Sequence, residues 1–403
     1  MIKQQKNYKK LFSISAITIC SALFSANAAI AQNVELYGVI DYGYSYRFDR
    51  KIYKDNASYA KTNSSIDSGI SDFNRIGLKA TENLTNDLSV IVGLERGFNL
   101  DNGVDRPENN TSYIALQSQK YGTIFGGRIN TPYYLLMLNL DPFQSGTAGE
   151  YNNIKRDIAA AVGLMLGDEN TAWQVDEMSD PISINNAISY VSPSWSGFSF
   201  NATFSNNALF DDSAINNAEN TTFYSVGALL ERQNYLLGIN YYRMAIGSQL
   251  RSFKIDKIDN ILLGAKYTFE DFHNLKLSAF INYNKIKFTT ENLLVSKNTI
   301  SQTNYLLGAE LPLGKHVIKA SFNYSHNDKN QFGKAFQLAA GYEYYLSKRS
   351  NLFAAYSYIK NDKEKRNNDG SILRYGRFGY TSDASNLGLG YQQALQFGMR
   401  HSF

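Results

Sequence analysis

The chain has one cysteine, six prolines and four histidines in 403 residues. A lone cysteine, Cys20, allows no internal disulfide, so an exported form must be held together in another way. Scarce proline leaves long stretches able to donate every backbone N–H, as strands require. His273, His316, His326 and His401 are scattered without metal-ligand spacing, and there is no phosphate-binding glycine loop or nucleophile elbow. The sequence therefore offers no metal or cofactor site and no catalytic constellation, so no enzyme is expected. Long apolar runs are also missing. Nothing beyond the N-terminus approaches 18 consecutive apolar residues, and mean hydropathy is below zero. Membrane helices are thereby excluded. A barrel is not, because only alternate residues of its strands meet lipid.

The N-terminus reads as an export signal. Lys3, Lys6, Lys9 and Lys10 precede an apolar run from Leu11 to Phe24, and Ala29-Ile30-Ala31 supplies small residues at the cleavage positions. The run is shorter than the ~20 residues that span a bilayer. The expected division is a signal peptide at 1–31 and one β-barrel domain at 32–403; Ala26-Asn27-Ala28 is the alternative cleavage site. Those four lysines account for the whole formal charge of +4, so the exported chain is balanced. Its apparent basicity carries no nucleic-acid inference.

What is abundant is alternation. Leu387, Leu389, Tyr391, Leu395, Phe397, Met399 and Phe403 stand at odd positions, while Gly388, Gly390, Gln392, Gln396 and Arg400 stand between them. Successive strand residues face opposite sides, so this terminal strand has one apolar face and one small or polar face. It is far longer than the ~5–6 residues of a usual strand. Leu275–Asn284, Ile318–Ser325 and Phe198–Phe204 alternate in the same way, and 29 tyrosines and 24 phenylalanines favour strands further. Tyr44, Tyr241, Tyr267, Tyr283, Tyr324 and Tyr358 fall near strand ends, as interfacial girdles require. A short theme, Leu-Leu-Gly, recurs at 236–238, 262–264 and 306–308, with its second Leu on the apolar face and its Gly on the other.

Sixteen such runs are separated by connections that alternate in length. Short ones include Glu82–Asn86, Glu231–Asn234 and Pro312–Lys315. Long polar ones include Asp49–Gly69, Asn99–Asn110 and, longest of all, Thr131–Ile182. The tight turn at Lys120–Gly122 is the least regular step. A soluble sandwich would need a second apolar face. The opposite face here carries Lys, Asn, Ser, Gln and Gly. The expected fold is therefore all-β: a 16-stranded antiparallel transmembrane barrel, the size at which an aqueous lumen opens.

Several segments, in order, resemble the general porins of Gram-negative bacteria, in the branch typical of Neisseria and other β-proteobacteria. They are Val34–Asp41, Arg75–Ala80, Tyr121–Arg128, Asn186–Pro193 and the ending Gly398–Phe403. The resemblance implies an outer-membrane homotrimer passing small hydrophilic solutes and ions, in contact with lipid and lipopolysaccharide. It implies that Thr131–Ile182 folds into the lumen, with Asp141-Pro142-Phe143 at its inner tip. It makes Phe403 part of the signal read by the barrel-assembly machinery, and it places Arg128 at the constriction. Alternation adds Arg75 and Lys79, opposite Ile76 and Leu78, and Glu95 beside Leu94. A charge on the lipid face would cost ~2–4 kcal/mol, so these side chains are expected inside. Asp141 and Glu150 on the folded loop are expected to oppose this basic wall. Relatives often carry an Arg where Ser183 stands here, which argues against strong anion selectivity. Two alternatives stay open: a solute-specific channel, and a surface barrel acting mainly in adhesion.

Overall fold

A computed structural model of the chain describes residues 33–52, 58–106, 110–144, 148–155, 180–209, 220–247, 255–288, 299–327, 334–361, 365–366, 372–373 and 391–403. The expected signal peptide lies outside these residues, as do Leu387 to Gly390 of the terminal run.

The strands are β1 (Asn33–Ile52), β2 (Ser58–Ser68), β3 (Arg75–Asn83), β4 (Leu88–Gly97), β5 (Thr111–Ser118) and β6 (Gly122–Asn130). Two helices follow, α1 (Pro132–Leu140) and α2 (Asn152–Lys155). Then come β7 (Ser183–Val191), β8 (Phe198–Ser205), β9 (Thr222–Glu231), β10 (Tyr235–Ala245), β11 (Ile255–Phe269) and β12 (Leu275–Phe288). They continue with β13 (Thr299–Leu313), β14 (His316–Asn327), β15 (Lys334–Tyr345) and β16 (Ser350–Asn361). A small hairpin, β17 (Lys365–Arg366) and β18 (Ile372–Leu373), precedes β19 (Tyr391–Ser402).

From β3 to β16 each strand pairs antiparallel with the next. β16 pairs with β19, β19 with β1, and β1 with both β2 and β3. The ring β1, β3 to β16 and β19 therefore closes on itself, while β2 pairs with β1 alone among the described residues. The sheet's 17 strands occupy sixteen wall positions, because β2 and β3 stack end to end along β1. The expected loop Asp49–Gly69 is thus largely strand, with β1 running on to Ile52 and β2 at Ser58–Ser68, and a detour separates β2 from β3. The turn between β5 and β6 lies at the same barrel end as the other short turns, so the alternation of connections is regular.

The two faces of the wall are inverted relative to a soluble protein. Leu237, Ile239, Leu263, Ile281, Leu307, Phe397 and Met399 are exposed, whereas Asn240, Asn260, Asn282, Asn304, Asn323 and Gln396 are buried. An outer surface this apolar is unfavourable in water, at roughly 25 cal/mol per Å², and neutral in hydrocarbon. Rings on the outer face form a chain across strands, from Phe322 through Phe336, Tyr358 and Tyr391 to Phe48, with centroids 5.8–6.4 Å apart. This row is an interfacial girdle. At the other rim, His401 meets Ser350 Oγ at 2.8 Å and stacks near Phe403. The Phe403 backbone exchanges hydrogen bonds with Gly38 in both directions, which seals β19 to β1.

Candidate pore-lining site

One side of the interior is filled. After β6 the chain enters α1, whose start is specified locally. Thr131 caps it, accepting the Tyr134 N–H at 3.1 Å, and Pro132 occupies the first turn. The helix is apolar nearly all round, which suits burial. Tyr133, Met137 and Leu140 pack with Phe223, Tyr242, Leu262 and Phe280 of β9 to β12. Tyr133 meets Tyr242 edge-on at 5.2 Å. The Leu-Leu-Gly theme now has a reason. A Cβ on Gly238 would collide with Leu136, one on Gly264 with Leu140, and one on Gly308 with Pro142. The glycines are the notches that let the helix and its exit lie flat on the wall.

The returning arm is fastened by polar groups. Both Asp141 carboxylate oxygens accept backbone amides of their own loop, from Phe143 at 2.9 Å and Tyr151 at 2.7 Å. The group is buried, which pushes its pKa up to about 7 despite those two donors; Glu150 and Lys319 are its charged neighbours. Tyr151 donates to Asn282 at 2.7 Å, Gln337 donates to the Gly149 carbonyl at 2.8 Å, and Gln396 accepts the Ala148 N–H at 2.5 Å. Lys155 closes the arm. Its ammonium, nearly fully buried, bonds Tyr133 Oη at 2.6 Å and pairs with Asp180 at the far end of the loop. Residues 145–147 and 156–179 of the expected loop lie outside the described residues.

The other side is charged. Arg75 Nη1 meets Asp72 Oδ1 at 2.9 Å, and its Nε meets Glu95 Oε2 at 3.6 Å. Arg400 Nη2 meets Glu343 Oε2 at 3.4 Å, and Glu343 also binds Lys319 at 2.6 Å and Tyr345 at 2.8 Å. Glu310 pairs with Lys276 on the next strand. Lys266 donates to the Asn139 carbonyl at 2.6 Å, in the last turn of α1. The chain of charges runs from β3 and β4 across β19, β15, β14 and β13 to β12. A small pocket beside it is lined by Ser71, Phe143, Gln144, Lys319, Glu343 and Arg400, and Phe143 itself packs on Ala339, Ala355 and Ala394 of this wall.

The residues singled out in the sequence fall into three groups. Arg75 and Glu95 are joined in one cluster. Lys79 lies on the same face as Arg75, in register with Glu35 and Gly93, with no ion pair among the described residues. Arg128 is held apart from that cluster: Nε donates to the Asn110 carbonyl at 2.8 Å and Nη1 to Asn185 Oδ1 at 2.5 Å. Asp141 and Glu150 are both buried in the returning arm. Sequence reasoning missed Asp72, Glu343, Glu310, Lys276 and Lys319 as partners. Alternation already put Lys276 and Lys319 on the polar face, but their acids are cross-strand neighbours, visible only in the pairing Lys276 to Glu310 to Lys319.

A closed barrel with an apolar exterior, a loop seated inside and a charged inner wall defines an outer-membrane channel. The family model for Gram-negative porins matches residues 16–364, and the chain belongs to that family. It is 28% identical over 395 residues to outer membrane porin protein 32 of Delftia acidovorans, covering 95% of this chain and 98% of that one. It is 26% identical over 431 residues to an outer membrane porin protein of Bordetella pertussis, covering 96% and 99%. Among solved structures, an anion-selective porin from Comamonas acidovorans matches with a TM-score of 0.67 at 22% identity, over 93% of this chain and 100% of that one. A trimer form of OmpT from Vibrio cholerae matches at 0.59 and 13% identity, over 93% and 100%. The chain is therefore a porin of the Gram-negative outer membrane, a channel for passive diffusion.

Proposed function

We propose that the channel is narrowed where the loop tip at Phe143 and Gln144 faces the charged inner wall, and that small hydrophilic solutes and ions pass through this gap. The observation that carries this reading is the asymmetry of the interior. The loop covers β9 to β12 with an apolar core and rests its returning arm on β13 to β16 and β19, while ion pairs run along the wall beside the loop tip. Opposed charges at such a gap order water and favour polar solutes over apolar ones. Arg75, Lys79 and Glu95 line the gap on the β3–β4 wall, and Arg128 stands above it near Asn110. Asp141 and Glu150 act here by shaping the loop, because the Asp141 oxygens are occupied by loop amides. The carboxylates of Asp72, Glu95, Glu310 and Glu343, set among the basic residues of the wall, support weak ion selectivity.

The protein works as a homotrimer in this reading, an assembly supported by the trimer form of OmpT. It is exported with a cleaved signal at 1–31, uses no cofactor and catalyses no reaction. Phe403 serves as the assembly signal, and lipid and lipopolysaccharide surround the barrel. The test is conductance in planar bilayers, with reversal potentials in a salt gradient for the wild type, Arg75→Ala and Arg128→Ala. Stepwise conductance is expected. Removing Arg75 leaves Asp72 and Glu95 unopposed, so permeability should move toward cations; Arg128→Ala should move it less. Unchanged potentials in both variants would remove these arginines from the constriction. Saturable block by one solute would favour a solute-specific channel, and absent conductance would favour an adhesive barrel.

A further inference from the structure

The break between β2 and β3 is an inward detour with a built anchor. Along β1, pairing passes from Tyr42 with Ser68 to Val39 with Arg75. The surplus of partner residues leaves the sheet as Gly69–Asn74, a much larger excursion than a single-residue bulge. Gly69 starts it with φ of +65°, a conformation that favours glycine. Asp41, buried on the inner face of β1, holds the detour. Its carboxylate accepts the N–H groups of Ile70 at 2.9 Å and of Ser71 and Asp72 at 3.1 Å each. The Asp41 N–H in turn donates to Asn74 Oδ1, and the Phe98 N–H donates to the Asn74 carbonyl at 3.1 Å. Three amides on one buried carboxylate fix the path of the segment far more tightly than an ordinary connection.

What the anchor presents to the pore is Ser71 and Asp72. Ser71 Oγ accepts from Arg400 at 3.3 Å, and Asp72 takes Arg75 at 2.9 Å with both side chains partly open to solvent. Ser71 lines the same small pocket as the loop residues Phe143 and Gln144. We propose that Gly69–Asn74 is a second arm of the constriction, built from the wall and clamped by Asp41. Its Asp72 carboxylate sets the ion preference by neutralising Arg75. The acid that the long loop was expected to supply comes instead from the opposite side of the gap. The inference rests on the channel reading and deepens it.

The test compares Asp72→Asn and Asp72→Glu with the wild-type porin by reversal potential in planar bilayers. A unit charge at contact distance in water is worth enough to change local ion occupancy several-fold, so Asp72→Asn should raise anion over cation permeability by about threefold. Asp72→Glu should stay near wild type, which a merely structural role would not produce. If Asp72→Asn does not assemble, Asp72→Cys serves instead. A negatively charged thiosulfonate should then restore the wild-type potential, and a positively charged one should drive it further toward anions. Normal conductance with an unchanged potential in the neutral variant, or no response of the cysteine variant to reagent charge, would overturn the role of Asp72 alone. Absence of wild-type conductance would overturn it together with the channel reading.

Discussion

The inner-face positions that seat the loop, from β9 round to β16 and β19, and the charged positions of the same wall are built on the same alternation but do opposite things. On the first, glycines and apolar side chains accept α1, and Tyr133, Met137 and Leu140 are removed from water. On the second, Lys276, Glu310, Lys319, Glu343, Arg400, Asp72 and Arg75 stand in paired succession beside the opening. The first side decides where the loop rests. The second decides what the remaining space favours. A barrel of this size needs both, because an empty lumen would be an unselective hole and a filled one would be closed.

Changes on the filled side should act on stability first. The largest effect is expected for Lys155→Met, which leaves the Asp180 carboxylate buried without its cation, at a cost of about 3–5 kcal/mol to loop docking. Protease protection of the loop in the folded porin reads this. The double variant Lys155→Met with Asp180→Leu should recover much of the loss, since an apolar pair can replace a buried ion pair. Met137→Ala should cost about 2–5 kcal/mol through the cavity it leaves against β9 to β12. On the charged side, Lys276→Gln should cost no more than about 1 kcal/mol, because this pair is partly exposed. It should nevertheless move the reversal potential, which Met137→Ala should not do directly. An equal stability cost for Lys276→Gln and Met137→Ala would break the contrast.

The smallest effect concerns pH. Burial raises the Asp141 carboxyl to about 7, above the ~3.9 of an exposed Asp. The seated loop therefore binds that proton more tightly than the unseated one. Its contribution is fully present below about pH 4 and is lost as pH rises to about 7. Open-channel noise should be greater at pH 8 than at pH 5, and Asp141→Asn should flatten the difference. Noise that falls as pH rises would contradict this sign.

Much of the wall was legible because period two is a local signal. β12 and β14 contain the alternating runs Leu275–Asn284 and Ile318–Ser325 and extend them by a few residues, to Leu275–Phe288 and His316–Asn327. The inward direction of Arg75 followed from Ile76 and Leu78 beside it. β2 was not legible, because Ser58–Ser68 is rich in Ser, Thr and Asn and reads as loop; only its pairing to the long β1 makes it a strand. The detour at Gly69–Asn74 was hidden for a related reason. Ile70 looks like the first apolar residue of the next strand, and nothing local says that Asp41 will gather three amides there. The Leu-Leu-Gly theme was visible but unexplained, because its cause is a helix distant in sequence. Charge partners such as Lys319 and Glu343 depend on register and closure, which no local pattern encodes.

The central claim is that ions pass along the charged side and not behind the seated loop. Cysteine accessibility tests it directly, in a background that carries Cys20→Ser. A charged thiol reagent added to open channels should reduce conductance through Lys319→Cys within the opening. It should leave Asn282→Cys, buried beneath Tyr151, unaffected. Rapid block of Asn282→Cys with no effect on Lys319→Cys would contradict the account.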